Sequence, residues 1–153
     1  MTTENDFNSY FSTHVRRMGT DFKAVKIADK VKTGISDFLI FHDGRAVAAE
    51  CKLMAALPDG KRRALKHAVS GPQQTFLKSM ALAGIPGYVF IACTADRTIT
   101  IVPGRAVPAS GNWTKEEILE ARISFGVYPY MDIPVLVKDL FGAGFPGQAE
   151  VEK

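Results

Sequence analysis

The chain has 153 residues, of which 46% are apolar and 23% charged, a composition typical of one soluble globular domain and unlike that of disordered, collagen-like or low-complexity proteins. Two cysteines are too few for a disulfide scaffold, and no apolar run approaches the ~20 residues of a membrane span. The net charge of +3 is uneven, because residues 1–105 carry 15 basic and 9 acidic side chains, whereas residues 106–153 carry 4 and 7.

The chain begins with a predicted helix and a short predicted strand. Residues 3–18 are predicted to be helical, because Thr3 and Asp6 have the spacing of a capping box and apolar side chains follow at helical intervals. A strand is predicted over residues 22–27. The first eight residues are polar and acidic, so we expect no secretory signal and a cytoplasmic protein. A prokaryotic or viral origin is compatible with this expectation.

Two apolar runs, 36–41 and 46–52, flank the dipeptide Asp43-Gly44. This arrangement predicts a β-hairpin with a two-residue type I′ turn. In that register the numbers of paired residues sum to 87, which places Asp37 opposite Glu50. Lys52 then shares the face of Glu50, and Cys51 points to the other face, toward the core.

The rest of the chain alternates helices, strands and loops. The sequence predicts a basic loop over 58–67, then a helix opened by Gly71-Pro72, then strands over 88–93 and 98–102. A loop over 103–113 follows, then a helix from Thr114 to about Ile123 and a short helix over 133–141. The pattern is that of a mixed α/β domain. We expect one domain over 1–141, with its core at about 3–102, a C-terminal helical extension over 103–141 and a flexible tail over 142–153.

Asp37 and Glu50 are the first candidate site residues. Two carboxylates directly opposite in a hairpin have β-carbons ~5 Å apart and repel each other. A divalent cation with a preference for hard oxygen ligands, Mg²⁺ or Mn²⁺, resolves this conflict. Lys52 beside the ion could neutralise an oxyanion or position a water. The alternative is an exposed polar end of the hairpin, in which Lys52 is only a counter-ion.

These residues resemble the motif of a known superfamily. The segment Gly34-Ile35-Ser36-Asp37 followed by Glu50-Cys51-Lys52 resembles the split acidic motif of PD-(D/E)XK nucleases, with Ser36 at a frequent proline position. The stretch 34–52 also resembles Holliday junction resolvases of the RecU and archaeal type. A second pattern resembles the VRR-NUC-like nucleases, and it consists of Gln73, Phe76, Leu77, Met80 and Gly84. The resemblance implies an α/β fold with a restriction-endonuclease-like core, in which a central mixed β-sheet is flanked by helices in the order αβββαβ.

The resemblance also implies roles for individual residues. Asp37, Glu50 and the main-chain carbonyl of Cys51 are implied to bind Mg²⁺ or Mn²⁺. Lys52 is implied to orient or activate the attacking water, and Gln73 to support Lys52 or the nucleophile. Gln73 has a simpler alternative, that of a first-turn residue facing water.

Many relatives carry a further acid on the first helix, and Glu4 is the candidate here because it shares a helix face with Phe7 and Phe11. Asp6 competes with it, but the capping role already accounts for Asp6. The basic side chains are interpreted as contacts to the DNA backbone or, alternatively, as a solvated loop and helix face; they are Arg16, Arg17, Lys61, Arg62, Arg63 and Lys66.

The function expected from this sequence is a metal-dependent endonuclease that hydrolyses phosphodiester bonds in branched DNA, such as a Holliday junction resolvase in DNA recombination and repair. Resolution needs two coordinated cuts, so we expect a homodimer, through the first helix or the C-terminal third. A flap or single-strand nuclease of the VRR-NUC type, a non-catalytic DNA-binding module on the same fold and a restriction enzyme are the alternatives.

Overall fold

The computed structural model describes residues 3–27, 37–57, 69–122 and 127–142. These residues contain four α-helices and six strands. In chain order they are α1 (Glu4–Arg16), β1 (Phe22–Lys26), β2 (Phe38–His42), β3 (Arg45–Met54), α2 (Gly71–Leu82), β4 (Gly87–Cys93), β5 (Thr98–Pro103), α3 (Lys115–Ala121), β6 (Val127–Pro129) and α4 (Ile133–Phe141). None of these helices is long and apolar enough to span a membrane.

The six strands form one mixed sheet in the order β1-β2-β3-β4-β5-β6. All neighbouring strands are antiparallel except β3 and β4, which are parallel and are connected through α2. A parallel connection needs a crossover of this kind, whereas the antiparallel pairs β2–β3 and β4–β5 are joined by short turns. The order α1-β1-β2-β3-α2-β4 matches the predicted αβββαβ core.

The β2–β3 hairpin has the predicted register. Asp43 and Gly44 have φ angles of 52° and 70°, as a type I′ turn requires at both central positions. The pairs run from His42↔Arg45 to Phe38↔Ala49, so their numbers sum to 87. Because β3 has ten residues and β2 has five, β3 extends past the start of β2.

Helices cover both faces of the sheet. On one face, Phe7 and Phe11 of α1 and Leu136 and Leu140 of α4 are buried in one apolar cluster. On the other face, Leu77 of α2 and Ile118 of α3 belong to a second cluster. Gly87 allows α2 to approach the sheet closely, because a β-carbon there would lie 2.7 Å from Leu77 Cδ2. The core therefore has two halves, separated by the sheet.

Several local predictions need correction. Segment 103–141, predicted to be a helical extension, also contains the strand β6, which pairs with β5. In the predicted helix opened by Gly71-Pro72, Leu77 is buried, Phe76 and Met80 are half-buried, and Ala81 is exposed. The buried residues of α2 are Leu77 and the polar Gln74. The basic loop over 58–67, Ile123 and the tail beyond residue 142 lie outside the described residues.

Candidate active site

Two carboxylates accept hydrogen bonds from the part of β3 that extends past β2. The Cys51 N–H donates to Asp37 Oδ2 at 2.8 Å, and the Leu53 N–H donates to Glu4 Oε2 at 3.4 Å. Alternate residues of a strand direct their N–H groups to the same side, and here that side lies beyond the first residue of β2. Asp37 and Glu4 thus satisfy backbone donors for which β2 provides no acceptor.

The main-chain carbonyl of Cys51 faces the same space as its N–H. In a β-strand, the N–H and C=O groups of one residue point toward the same neighbouring strand. Ala48 is an odd number of residues away from Cys51, so its backbone groups point to the other side of β3. Its N–H donates to the Pro86 carbonyl on the β4 side of the strand. The Cys51 carbonyl is therefore directed toward the side of Asp37, while the Cys51 side chain is fully buried in the core, as predicted.

Glu50 is the most buried acid of the site, with only 2% of its surface exposed. Its Oε1 accepts a hydrogen bond from Gln73 Nε2 at 2.7 Å and lies 3.3 Å from Lys52 Nζ. Its Oε2 is buried and has no hydrogen-bond partner among the residues that the structure describes. A buried carboxylate oxygen without a partner is costly, so Glu50 Oε2 is an atom that could bind a cation.

Burial also changes the protonation of the two opposed acids. It raises the pKa of Glu50 to about 8, with a further upward contribution from the charge of Asp37 and a downward one from Lys52. Burial likewise raises the pKa of Asp37, against the lowering effect of the Cys51 N–H bond and of Lys52. The repulsion expected between these carboxylates is therefore present, and a bound cation would relieve it.

Lys52 and Gln73 complete the cluster. Lys52 is 5% exposed, and its Nζ donates to Gln73 Oε1 at 3.4 Å. The same Oε1 accepts the Ser70 N–H at 3.0 Å, while Ser70 Oγ accepts the Gln73 N–H at 3.2 Å, which forms a capping box at the start of α2. Gln73 therefore faces Glu50 and Lys52 instead of water.

The sequence interpretation missed Asn8. This α1 residue is buried, and its side chain contributes a downward shift to the pKa of Asp37. It follows Glu4 by four residues, so both lie on one helix face. A polar residue between Phe7 and Phe11 on a face predicted to be buried is the signal that could have identified it.

The predicted DNA contacts are not part of this cluster. Arg16 and Arg17 are exposed at the far end of α1, which rises about 18 Å from Glu4 to Arg16. The other four basic residues lie outside the described residues; they are Lys61, Arg62, Arg63 and Lys66. The structure therefore leaves the role of all six as a prediction.

The donors present are suitable for a hard divalent cation. Asp37, Glu50 and the Cys51 carbonyl offer oxygen atoms, and Glu50 Oε2 has no other partner in the described structure. Within the described ranges, no three His, Cys, Asp or Glu side chains lie close enough together to hold one ion. Glu4 is thus brought to the site without forming a third side-chain ligand there. Mg²⁺ is commonly bound through one or two carboxylates and several waters, and this site matches that requirement.

Comparison with known proteins gives a structural match only. No protein-family model and no curated protein matches the sequence. Among solved structures, the chain is similar to Hjc of Archaeoglobus fulgidus, a Holliday junction resolvase from an archaeal hyperthermophile, with a TM-score of 0.57 and 15% sequence identity. The match covers 76% of this chain and 92% of Hjc. The chain has the restriction-endonuclease-like fold. The predicted fold class is therefore confirmed.

Proposed function

We propose that this protein is a metal-dependent endodeoxyribonuclease that cuts branched DNA, most specifically a Holliday junction resolvase. The observation that carries the proposal is the buried Glu50, held by Lys52 and Gln73 and facing Asp37 across the end of a hairpin. A purely structural hairpin has no use for two repelling carboxylates in a desolvated place. The similarity of the fold to Hjc, which is a Holliday junction resolvase, supports the choice of substrate.

Each residue of the proposed site has its own role in the proposed reaction. Asp37, Glu50 and the Cys51 carbonyl would hold Mg²⁺ or Mn²⁺, which when bound supplies Lewis-acid stabilisation of the phosphodiester. Lys52, as a buried cation next to these acids, orients the attacking water or neutralises the charge that develops on the phosphate oxygens. Gln73 fixes Glu50 and Lys52 relative to each other, since it hydrogen-bonds to both.

We further propose that the protein acts as a homodimer, because symmetric resolution needs two active sites. The apolar side chains of α1 are used against the sheet, which makes the first helix the poorer dimer surface. A cavity of about 1080 Å³ lies beside the C-terminal half of α2 and is called the α2 cavity below. It offers more apolar surface than α1 does, and it is lined in part by Phe41, Leu77, Ala81, Leu82 and Ile85. Leu82 at its edge is 91% exposed. In the C-terminal third, Met131 is 76% exposed and offers the rival surface.

The deciding experiment compares cleavage of a four-way junction, a flap and a linear duplex, each with Mg²⁺ and with EDTA. We expect paired cuts in the junction that depend on Mg²⁺ and stop in EDTA. Cleavage of the flap without cleavage of the junction would favour a nuclease of the VRR-NUC type. Tight junction binding with no cleavage of any substrate would favour a non-catalytic DNA-binding module.

A further inference from the structure

The peptide group that joins Val69 to Ser70, directly before α2, is held from two sides. Its N–H, on Ser70, donates to Gln73 Oε1 at 3.0 Å, and its C=O, on Val69, accepts from Gln74 Nε2 at 3.0 Å. A peptide group is planar, so the directions of these two bonds depend on each other. The side chain of Gln74 therefore helps to fix the direction of the N–H that Gln73 accepts.

The loop segment 109–111, in the C-terminal third of the chain, supports the same peptide group. The Val69 N–H donates to the Gly111 carbonyl at 3.2 Å, and Gln74 Nε2 also donates to the Ala109 carbonyl at 3.4 Å. Gly111 lies so close to Val69 that a β-carbon at position 111 would overlap with the Val69 carbonyl oxygen. Its φ of 77° also favours glycine. The contact between this loop segment and Val69 thus requires glycine at position 111.

Gln73 connects this peptide group to the acids of the site. Its Nε2 donates to Glu50 Oε1 at 2.7 Å, and its Oε1 also accepts from Lys52 Nζ at 3.4 Å. A continuous series of hydrogen bonds therefore runs from the loop segment 109–111 through Gln74, the peptide group and Gln73 to Glu50. Gln74 itself is only 7% exposed, and burying an amide at this position is costly unless the amide is hydrogen-bonded.

We propose that Gln74 is a positioning residue of the proposed active site: its amide orients the peptide group before α2, whose N–H holds Gln73 against Glu50 and Lys52. The inference rests on the proposed function. It gives the loop segment 109–111 a part in that reaction, because this segment supports both Gln74 and Val69. Removing outer hydrogen-bond partners of a metal site commonly lowers metal affinity or activity by about 10–100-fold.

The test is a double-mutant cycle between Gln74 and Gln73 in the full chain. Gln74→Met keeps a side chain of similar length but removes the amide donor. We expect it to lower both single-turnover cleavage of a four-way junction with Mg²⁺ and calorimetric Mn²⁺ affinity by about 10-fold, with junction affinity in EDTA unchanged. In the Gln73→Ala background the same replacement should lower both quantities by less than about 2-fold, because the residue through which Gln74 acts is already absent.

Gly111→Ala disturbs the same peptide group from the other side and should reduce cleavage as Gln74→Met does. Its matched control is Gly19→Ala, at another glycine with a positive φ, of 107°, where no atom of the described residues beyond the chain neighbours would lie within 4 Å of a β-carbon. Thr75→Met, at the adjacent exposed position of α2, is the control for Gln74→Met. Both controls should cleave like the wild type, and circular dichroism verifies that each variant is folded.

The outcomes separate this proposal from the proposed function. Equal cleavage and Mn²⁺ affinity in Gln74→Met and the wild type would overturn the role of Gln74 and leave the proposed function intact. Equal losses in both backgrounds would show that Gln74 acts independently of Gln73, which also overturns the proposal. A wild type that cleaves no substrate and binds no Mn²⁺ would overturn both proposals together. If Gln74→Met does not fold, Gln74→Asn, whose amide is carried on a side chain shorter by one methylene, decides in the same cycle.

Discussion

Gln73 links the start of α2 to β3, because its Nε2 donates to Glu50 Oε1 at 2.7 Å while its Oε1 accepts the Ser70 N–H at 3.0 Å. One side chain therefore both caps a helix and holds an acid of the proposed site. The double role means that the contribution of Gln73 to stability can be separated experimentally from its contribution to the reaction, since Ser70 takes part only in the cap.

Replacement of Gln73 should impair both stability and cleavage. Ser70→Ala removes the cap bond alone, so we expect it to lower the free energy of unfolding by about 1 kcal/mol with cleavage nearly unchanged. Gln73→Ala should cost a similar amount of stability and also reduce junction cleavage by about 10–100-fold, because Glu50 and Lys52 lose their common partner. Urea denaturation and single-turnover cleavage measure the two effects. Equal losses of cleavage in both variants would contradict the link to Glu50.

The pH dependence of stability should reveal Glu50. Its pKa of about 8 in the folded protein exceeds its ordinary value of 4.5, so the folded state binds more protons than the unfolded state between these values. The contribution of Glu50 to stability is therefore present below pH 4.5 and is lost as the pH rises through about 8. In metal-free protein, Glu50→Gln should lack this loss and become progressively more stable than the wild type over this range.

The measurement is denaturant unfolding in EDTA at several pH values. Glu120→Gln, at an exposed position of α3, is the control and should follow the wild type. A constant difference between Glu50→Gln and the wild type from pH 5 to about 8 would show that Glu50 is not perturbed in the folded protein.

Lys52 should matter for cleavage and little for binding. Lys52→Met keeps most of the side-chain volume at this buried position but removes the charge. We expect cleavage of a four-way junction to fall by about 10²–10³-fold, the usual loss when a group that stabilises developing charge is removed. Junction affinity in EDTA should remain nearly unchanged. Lys78→Met, at an exposed position of α2, is the control, and a similar loss of cleavage in both variants would contradict a role for Lys52 in the reaction.

The exposed Arg16 and Arg17 should contribute to DNA binding without sequence preference. In the double variant Arg16→Ala/Arg17→Ala, we expect weaker binding to every junction sequence and a slope of log affinity against log salt that is smaller by roughly 2. Fluorescence anisotropy over a range of salt concentrations provides the slope. Arg122→Ala, which changes an exposed residue at the end of α3, should leave it unchanged. An unaltered slope in the double variant would remove these two residues from the DNA contact.

The dimer surface can be assigned with two single variants. If two copies associate through the α2 cavity, Leu82→Glu places a charge in the interface and should convert the dimer to a monomer in analytical ultracentrifugation. Met131→Glu should then leave the dimer intact. The reverse pattern would assign the interface to the C-terminal third, and a monomeric wild type would contradict the homodimer.

Local signals were sufficient where the structure depends on neighbours in the chain. The Asp43-Gly44 turn determines the hairpin register, because a two-residue type I′ loop allows one pairing. That pairing predicts that Asp37, Glu50 and Lys52 lie close together. The capping boxes at Thr3 and Thr114 were predictable for the same reason, since their partners lie three residues away.

Tertiary structure alone decided the features that depend on distant segments. Glu4 reaches the Leu53 N–H only because α1 packs against β3, and no local pattern encodes that contact. The three-residue strand β6 is too short for a periodic signal and forms because β5 offers it an edge. The high pKa of Glu50 arises from desolvation by the elements that cover it. The sequence by itself thus determined which side chains oppose each other in one hairpin, and the packing of the helices decided how deeply they are buried and which partners they have.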